Sequence, residues 1–149
     1  MENIGKRKFR KDQQVYLIDC WKDNKEQPYL FVRQATIVEV DASNELFTVN
    51  TLNGKCQTYT TKDYGVSIFD SQLEADRAIL KLPTPKSTVY TLLGKRVSKK
   101  IVHVVQNDTI NGCTKLTIHF TQGGSIAVEE IGSTLFLSKT EAMKAAGSL

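Results

Sequence analysis

The segment Gly65-Val-Ser-Ile-Phe-Asp-Ser-Gln-Leu-Glu-Ala-Asp-Arg-Ala-Ile79 returns sixty-seven residues later as Gly132-Ser-Thr-Leu-Phe-Leu-Ser-Lys-Thr-Glu-Ala-Met-Lys-Ala-Ala146. Gly, Phe, Ser, Glu and two Ala coincide without a gap, six identities in fifteen positions where average composition gives about one. The chain therefore reads as two copies of one unit of roughly 60–80 residues. The division expected is a basic arm over 1–11, a first unit over 12–82, a linker over 83–87 and a second unit over 88–149. A repeat fixes architecture first and leaves little room for a catalytic centre.

Within each unit, side-chain alternation and turn chemistry read as strands. The first unit places them at 15–21, 29–41, 46–52, 55–61 and 66–69. A turn over 42–45 sets Val40 opposite Phe47 and Val38 opposite Val49, which keeps one face apolar. Asn53-Gly54 is a type I′ hairpin signal, because both central residues of that turn need positive φ. In the second unit, strands fall at 88–93, 97–105, 116–120, 126–128 and 134–137. Pairing Val104 with Ile118 and Val102 with Phe120 puts His103 directly across from His119. The same parity excludes a two-residue turn at Asn111-Gly112 and implies a longer loop.

Each unit ends in a helix. Ser71 with Glu74, and Ser138 with Glu141, form capping boxes in which the hydroxyl accepts an amide proton one turn on. Pro83 and Pro85 stop the first helix. Ala75 and Ala78, or Ala142 and Ala145, are small enough to pack close to a sheet. The fold class expected is mainly β: about five antiparallel strands per unit, curled into a small barrel and closed by one short C-terminal helix.

That pattern resembles small SH3-like barrel proteins of Gram-positive bacteria and their phages or mobile elements. Val15-Tyr16 and Val89-Tyr90 match the family's opening strand. Phe69 to Ala75 and Phe136 to Ala142 match its closing Phe-x-Ser/Thr-x-x-Glu-Ala helix. The resemblance covers most of both units, its motifs are structural, and it carries over no catalytic residue. It implies an accessory or regulatory protein and nothing more specific; the reading taken is a non-enzymatic binding protein acting through protein contacts, with nucleic-acid binding as the alternative. The family's mobile-element setting extends that to an inhibitor of a host defence nuclease. The longer loop at 22–28 and the basic arm depart from the pattern.

The net charge of +4 is unevenly spread. Five basic groups against Glu2 leave the arm at +4; six basic and eleven acidic groups leave 12–80 at −5; nine basic and four acidic groups leave 81–149 at +5. An acidic half beside a basic half implies either mutual attraction or separate partners. For a protein partner, such as the basic nucleic-acid groove of a nuclease, the candidates are Asp41, Glu45, Asp63 and Asp70, with the single tryptophan, Trp21, as an anchor. The competing reading of Trp21 is that it covers the open side of the first barrel. For nucleic acid, the candidates are Lys6, Arg7, Lys8, Arg10 and Lys11 of the arm, with Lys95, Arg96, Lys99 and Lys100 around Gly94. Neither basic group has interleaved aromatics on which bases would stack.

No signature of catalysis or metal binding is present. Gly54-Lys55 and Gly94-Lys95 lack the earlier glycine of a phosphate-binding loop. Glu129-Glu130 read as adjacent strand positions on opposite faces, unable to act as an acid–base pair. Two histidines and three scattered cysteines have no closed-site spacing, so neither metal nor cofactor is expected. Cys20, Cys56 and Cys113 are odd in number without a C-x-x-C pair, as in a reducing cytoplasm. No secretory segment is expected from the charged stretch at 1–11, and no apolar run reaches a membrane span.

Overall fold

The repeat at the level of residues is a repeat at the level of strands. In the computed structural model, which describes residues 9–41, 43, 45–51 and 56–147, the first half runs β1 (Gln14–Lys22), β2 (Pro28–Val40), β3 (Leu46–Thr51), β4 (Cys56–Thr60), β5 (Ile68–Phe69) and α1 (Gln72–Leu80). The second runs β6 (Thr88–Leu93), β7 (Arg96–Ile110), β8 (Cys113–Phe120), β9 (Ser125–Ala127), β10 (Leu135–Phe136) and α2 (Lys139–Gly147). The chain is mainly β: two five-stranded antiparallel sheets and two helices. The orders are β4-β3-β2-β1-β5 and β10-β6-β7-β8-β9, which are the same order read from opposite edges. In both halves a 3-10 turn, Thr61–Asp63 or Val128–Glu130, leads to a glycine at φ 84° or 95° and then to the short last strand. Left-handed backbone at Gly65 and Gly132 explains why glycine opens both copies of the repeated segment. The Asn53-Gly54 turn and Lys6, Arg7 and Lys8 lie outside the described residues.

A β-bulge recurs as well, and it corrects the register read from the sequence. Pairing shifts between Ile37 and Glu39 in the first sheet and between Val102 and Val104 in the second. Val40 does face Phe47, but Ile37 rather than Val38 faces Val49. In the second sheet Val102 faces Phe120, and the bulge then sets Val104 against His119. His103 is the extra, exposed residue, so the two histidines are not a cross-strand pair. One inserted residue reverses the parity of everything beyond it. Asn111-Gly112 is consequently a two-residue turn after all, joining paired Ile110 and Cys113 with φ of 53° and 80°.

Two cores result. Val15, Leu17, Ile37, Phe47, Val49 and Tyr59 fill the first. Phe9 joins it, its ring 4.1 Å from that of Phe47, so the chain is anchored at a residue assigned above to the arm. Alternation along β1 sends Ile18 and Tyr16 to the opposite face, where they meet the second core of Val89, Val102, Leu116, Ile118 and Leu135. The β1–β2 layer is thus covered on both faces. Neither sheet closes on itself by strand pairing among the described residues; instead the halves share apolar surface. Helix α1 lies on β1 and β2 with Ala75 buried between them, and α2 buries Ala142 and Ala146 rather than Ala145.

The outer part of the β7–β8 hairpin reaches onto the first half. Asn107 Nδ2 donates to the Ile18 carbonyl at 3.0 Å, beyond the point where β5 leaves β1. Lys115 Nζ lies 2.9 Å from Asp63 Oδ1 and 3.3 Å from Thr60 Oγ1. Opposite charge on the two halves is therefore used, at least here, to dock them. Both helices begin as expected: Ser71 Oγ accepts from the Glu74 amide and Ser138 Oγ from the Glu141 amide, each at 3.2 Å. Replacing either serine by alanine should cost about 1 kcal/mol, read as a shift in the urea midpoint at unchanged slope.

Candidate protein-docking surface

The first hairpin continues past its core. Beyond Leu17, strand β1 pairs Asp19 with Phe31, Cys20 with Leu30, Trp21 with Tyr29 and Lys22 with Pro28. The Asp23 carboxylate closes the connecting loop by accepting from the Lys25 and Gln27 amides at 2.8 and 2.9 Å. Period-two alternation puts Trp21, Tyr29, Asp19 and Phe31 on one face. Arg33 Nε donates to Asp19 Oδ2 at 2.7 Å, and its guanidinium lies 4.9 Å from the Phe31 centroid. The Tyr29 and Phe31 rings are 5.8 Å apart. Trp21 is 61% exposed and Tyr29 47%, so Trp21 does not cover a barrel opening. Trp21 stands four residues past Leu17, the last core residue on its face of β1, and is left largely in solvent, while Tyr29 keeps the edge of its ring on Phe31. An exposed Trp–Tyr pair backed by an ion-paired arginine has the composition of an interface anchor.

Tyr29 also borders a groove of about 230 Å³ where the two halves meet. Pro28 and Leu30 form one wall, Ile79 and Leu82 at the end of α1 another, with Pro83 and Pro85 of the linker and Val104 beside the bulge completing it. The lining is mainly apolar, with Thr84 among its residues. Sequence reasoning missed this groove, because its residues come from four segments; the readable signal was the three prolines beside aliphatic residues.

The acidic candidates differ in accessibility. Asp63 is 2% exposed and holds Lys115, while its second carboxylate oxygen accepts from the Thr60 amide at 2.8 Å. Asp70 accepts from the Tyr64 hydroxyl at 2.7 Å and from Gln13 Nε2 at 3.2 Å. Asp41 accepts from the Glu45 and Leu46 amides and so shapes the turn before β3. Glu45 is exposed. Buried Asp63 is out of a partner's reach, which corrects its reading as a contact; Asp41 is exposed and Asp70 half-buried, each also bonded within the fold. The bases are more accessible but divided. Gly94-Lys95 is a two-residue turn, and Lys99 projects with Tyr90 from one face while Arg96 and Lys100 share the other. Arg10 and Lys11 are exposed ahead of β1. Glu129 and Glu130 lie in a 3-10 turn rather than a strand and diverge, Glu129 toward Lys115 and Glu130 toward the Thr134 hydroxyl.

A polar cluster on the β7–β8 hairpin was not read from the sequence. Asp108 Oδ2 is 2.6 Å from His119 Nε2 and accepts from the Thr117 hydroxyl, while Gln106 Nε2 donates to Oδ1 at 2.8 Å. Burial works to raise the Asp108 pKa, but these hydrogen bonds outweigh it and hold the carboxyl below the usual range. The Cys20 thiol is pushed up by burial and by the Asp19 and Asp108 charges, against a hydrogen bond from the Asn107 amide. A raised thiol is the reverse of what a nucleophile needs. Among the described residues no group of three His, Cys, Asp or Glu is placed to hold a metal, and no helix is long and apolar enough to cross a membrane.

The Asp108 cluster has a consequence for pH. A carboxyl whose folded pKa is depressed stabilises the protein above its unfolded pKa of about 3.9 and loses that contribution as pH falls through the folded value. Asp108→Asn should therefore lower stability at pH 7 and flatten the acid limb of stability against pH below about 4. Urea midpoints of both proteins across that range check it; parallel curves would show that the cluster is not formed.

No family model matches this chain, and no curated protein or solved structure matches it.

Proposed function

We propose that this chain is a non-enzymatic binding protein that acts through contacts with another protein. The observation that carries the reading is the exposed Trp21–Tyr29 pair beside an apolar groove at the junction of the two halves. Isolated exposed aromatics are ordinary, but a cross-strand aromatic pair on an overhanging hairpin, with Tyr29 also bordering an apolar groove, is more than the fold needs. The identical strand order, the 3-10 turn and the short last strand before a helix support reading each half as an SH3-like unit, here open and docked on its neighbour. The resemblance to phage and mobile-element proteins extends the proposal to a cytoplasmic regulator, with a host defence nuclease as its target. With three acidic candidates bonded internally, such an inhibitor works by apolar docking rather than by imitating nucleic-acid charge.

The second reading is a nucleic-acid-binding accessory protein, favoured by exposed Lys95, Arg96 and Lys99 at the β6–β7 tip. Binding to random-sequence DNA and RNA at two salt concentrations separates the two. The proposal expects weak binding there, and it expects Trp21→Ala to weaken a protein complex about 30-fold, the size of a hot-spot truncation. Replacing Lys95, Arg96, Lys99 and Lys100 with alanine should leave that complex intact. Tight nucleic-acid binding whose salt slope falls by about 0.9 for each phosphate contact removed overturns the proposal.

A further inference from the structure

The groove beside Tyr29 differs from the aromatic overhang in kind: it is concave, and its rim is charged. We propose that it receives one bulky apolar side chain from an extended partner segment whose flanking residues are acidic. This inference rests on the protein-binding reading and names the chemistry of what is bound.

Size sets the first limit. A volume of about 230 Å³ falls below the roughly 300–1,000 Å³ of sites that enclose small molecules or cofactors. It suits a single large side chain. The lining sets the second limit, because Leu30, Ile79, Leu82 and Val104 offer no charged group to such a guest. The walls are also stiff. Pro28 opens β2, and Pro83 and Pro85 fix the linker, so a guest meets a surface that loses little conformational freedom on binding. Pro83 is itself buried.

Charge decides what surrounds the guest. Lys81 immediately precedes Leu82, Lys86 immediately follows Pro85, and Lys22 pairs with Pro28; all three are exposed. Arg77, one turn before Lys81 on α1, is exposed too. The acids nearby are fewer in effect. Lys22 and Glu26 lie 3.8 Å apart and offset each other, Asp23 is used by the loop amides, and exposed Asp76 is outnumbered by Lys81, Lys86 and Arg77. A net positive rim around an apolar floor complements an acidic segment with an apolar anchor. Nucleic acid fits it poorly, since phosphates have no use for an aliphatic floor and Tyr29 alone offers a stacking face.

The test is selection of peptides from a random phage-displayed library on the full chain, followed by affinity measurement on synthetic copies. Enriched peptides should carry one Trp, Phe or Leu flanked by Asp or Glu. Their affinity should fall about tenfold or more with Leu82→Arg, which fills the groove, and severalfold with Lys81→Glu and Lys86→Glu. The reversed charges sit on exposed positions and keep the test valid if Leu82→Arg fails to fold. Enrichment of basic or uncharged peptides, or affinities indifferent to all three changes, overturns the groove's role. If those peptides still lose affinity with Trp21→Ala, the protein-binding reading stands without it. If no peptide is enriched while random-sequence DNA or RNA binds tightly, both fall.

Discussion

Lys115→Met should lower the stability of the whole chain by about 3–5 kcal/mol, the cost of leaving a buried charge without its partner. Asp63 is 2% exposed, and Lys115 brings the compensating ammonium from the other half of the molecule, 2.9 Å away. The Thr60 amide and hydroxyl stay within reach of the other carboxylate oxygen, which places the loss toward the lower end. Lys115 also lies 3.8 Å from Glu129, so its removal leaves two carboxylates facing each other near the same seam. Substituting both residues, as Asp63→Asn with Lys115→Met, should recover much of the loss, because no charge is then stranded. Urea unfolding at pH 7 of wild type, Lys115→Met and the double variant gives a direct check. A loss below about 1 kcal/mol, typical of an exposed pair, would mean that the β7–β8 hairpin does not dock on the first half.

The second large effect concerns Ile18. Replacing it by alanine should cost about 2–5 kcal/mol and should do so in one cooperative transition. Ile18 is wholly buried and belongs to the cluster that includes Val89, Val102 and Ile118 of the second half. The cavity would therefore open between the halves rather than inside one. If each half folded by itself, unfolding would resolve into two steps and only one would move. Expression of residues 9–82 alone sharpens the point: the uncovered Ile18 and Phe69 face should bind a hydrophobic dye and the fragment should melt well below the full chain. A fragment as stable as the whole protein would reverse this view of the second core.

The two predictions mark where sequence reading stops. The repeat, the strand count in each half and both serine caps were legible because each depends on residues near one another in the chain. Capping uses positions three apart, and alternation uses positions two apart. The register of the second sheet was misread for an identifiable reason. A bulge adds one residue with no composition of its own; Val38 in one copy and His103 in the other share no chemistry that announces it. Once it is present, parity reverses, and an Asn-Gly turn that parity had excluded becomes the correct one.

The candidate surface was legible only as single residues. Trp21 could be singled out from the sequence, but whether it closed a core or stood in solvent depends on how far β1 overhangs the layer of Leu17. The Asp108–His119 contact joins residues eleven apart through a long hairpin whose reach depends on the bulge and the Asn111-Gly112 turn together. Asp63 read as a surface carboxylate because aspartate is seldom buried unless paired, and its partner lies fifty-two residues away. Local periodicity and turn chemistry by themselves determined that this chain makes two like β units, each ending in a helix. Only the tertiary structure decided that the units share a core, which charges that docking consumes, and which apolar groups it leaves in solvent, because burial is a property of what packs on a strand and no pattern within the strand records it.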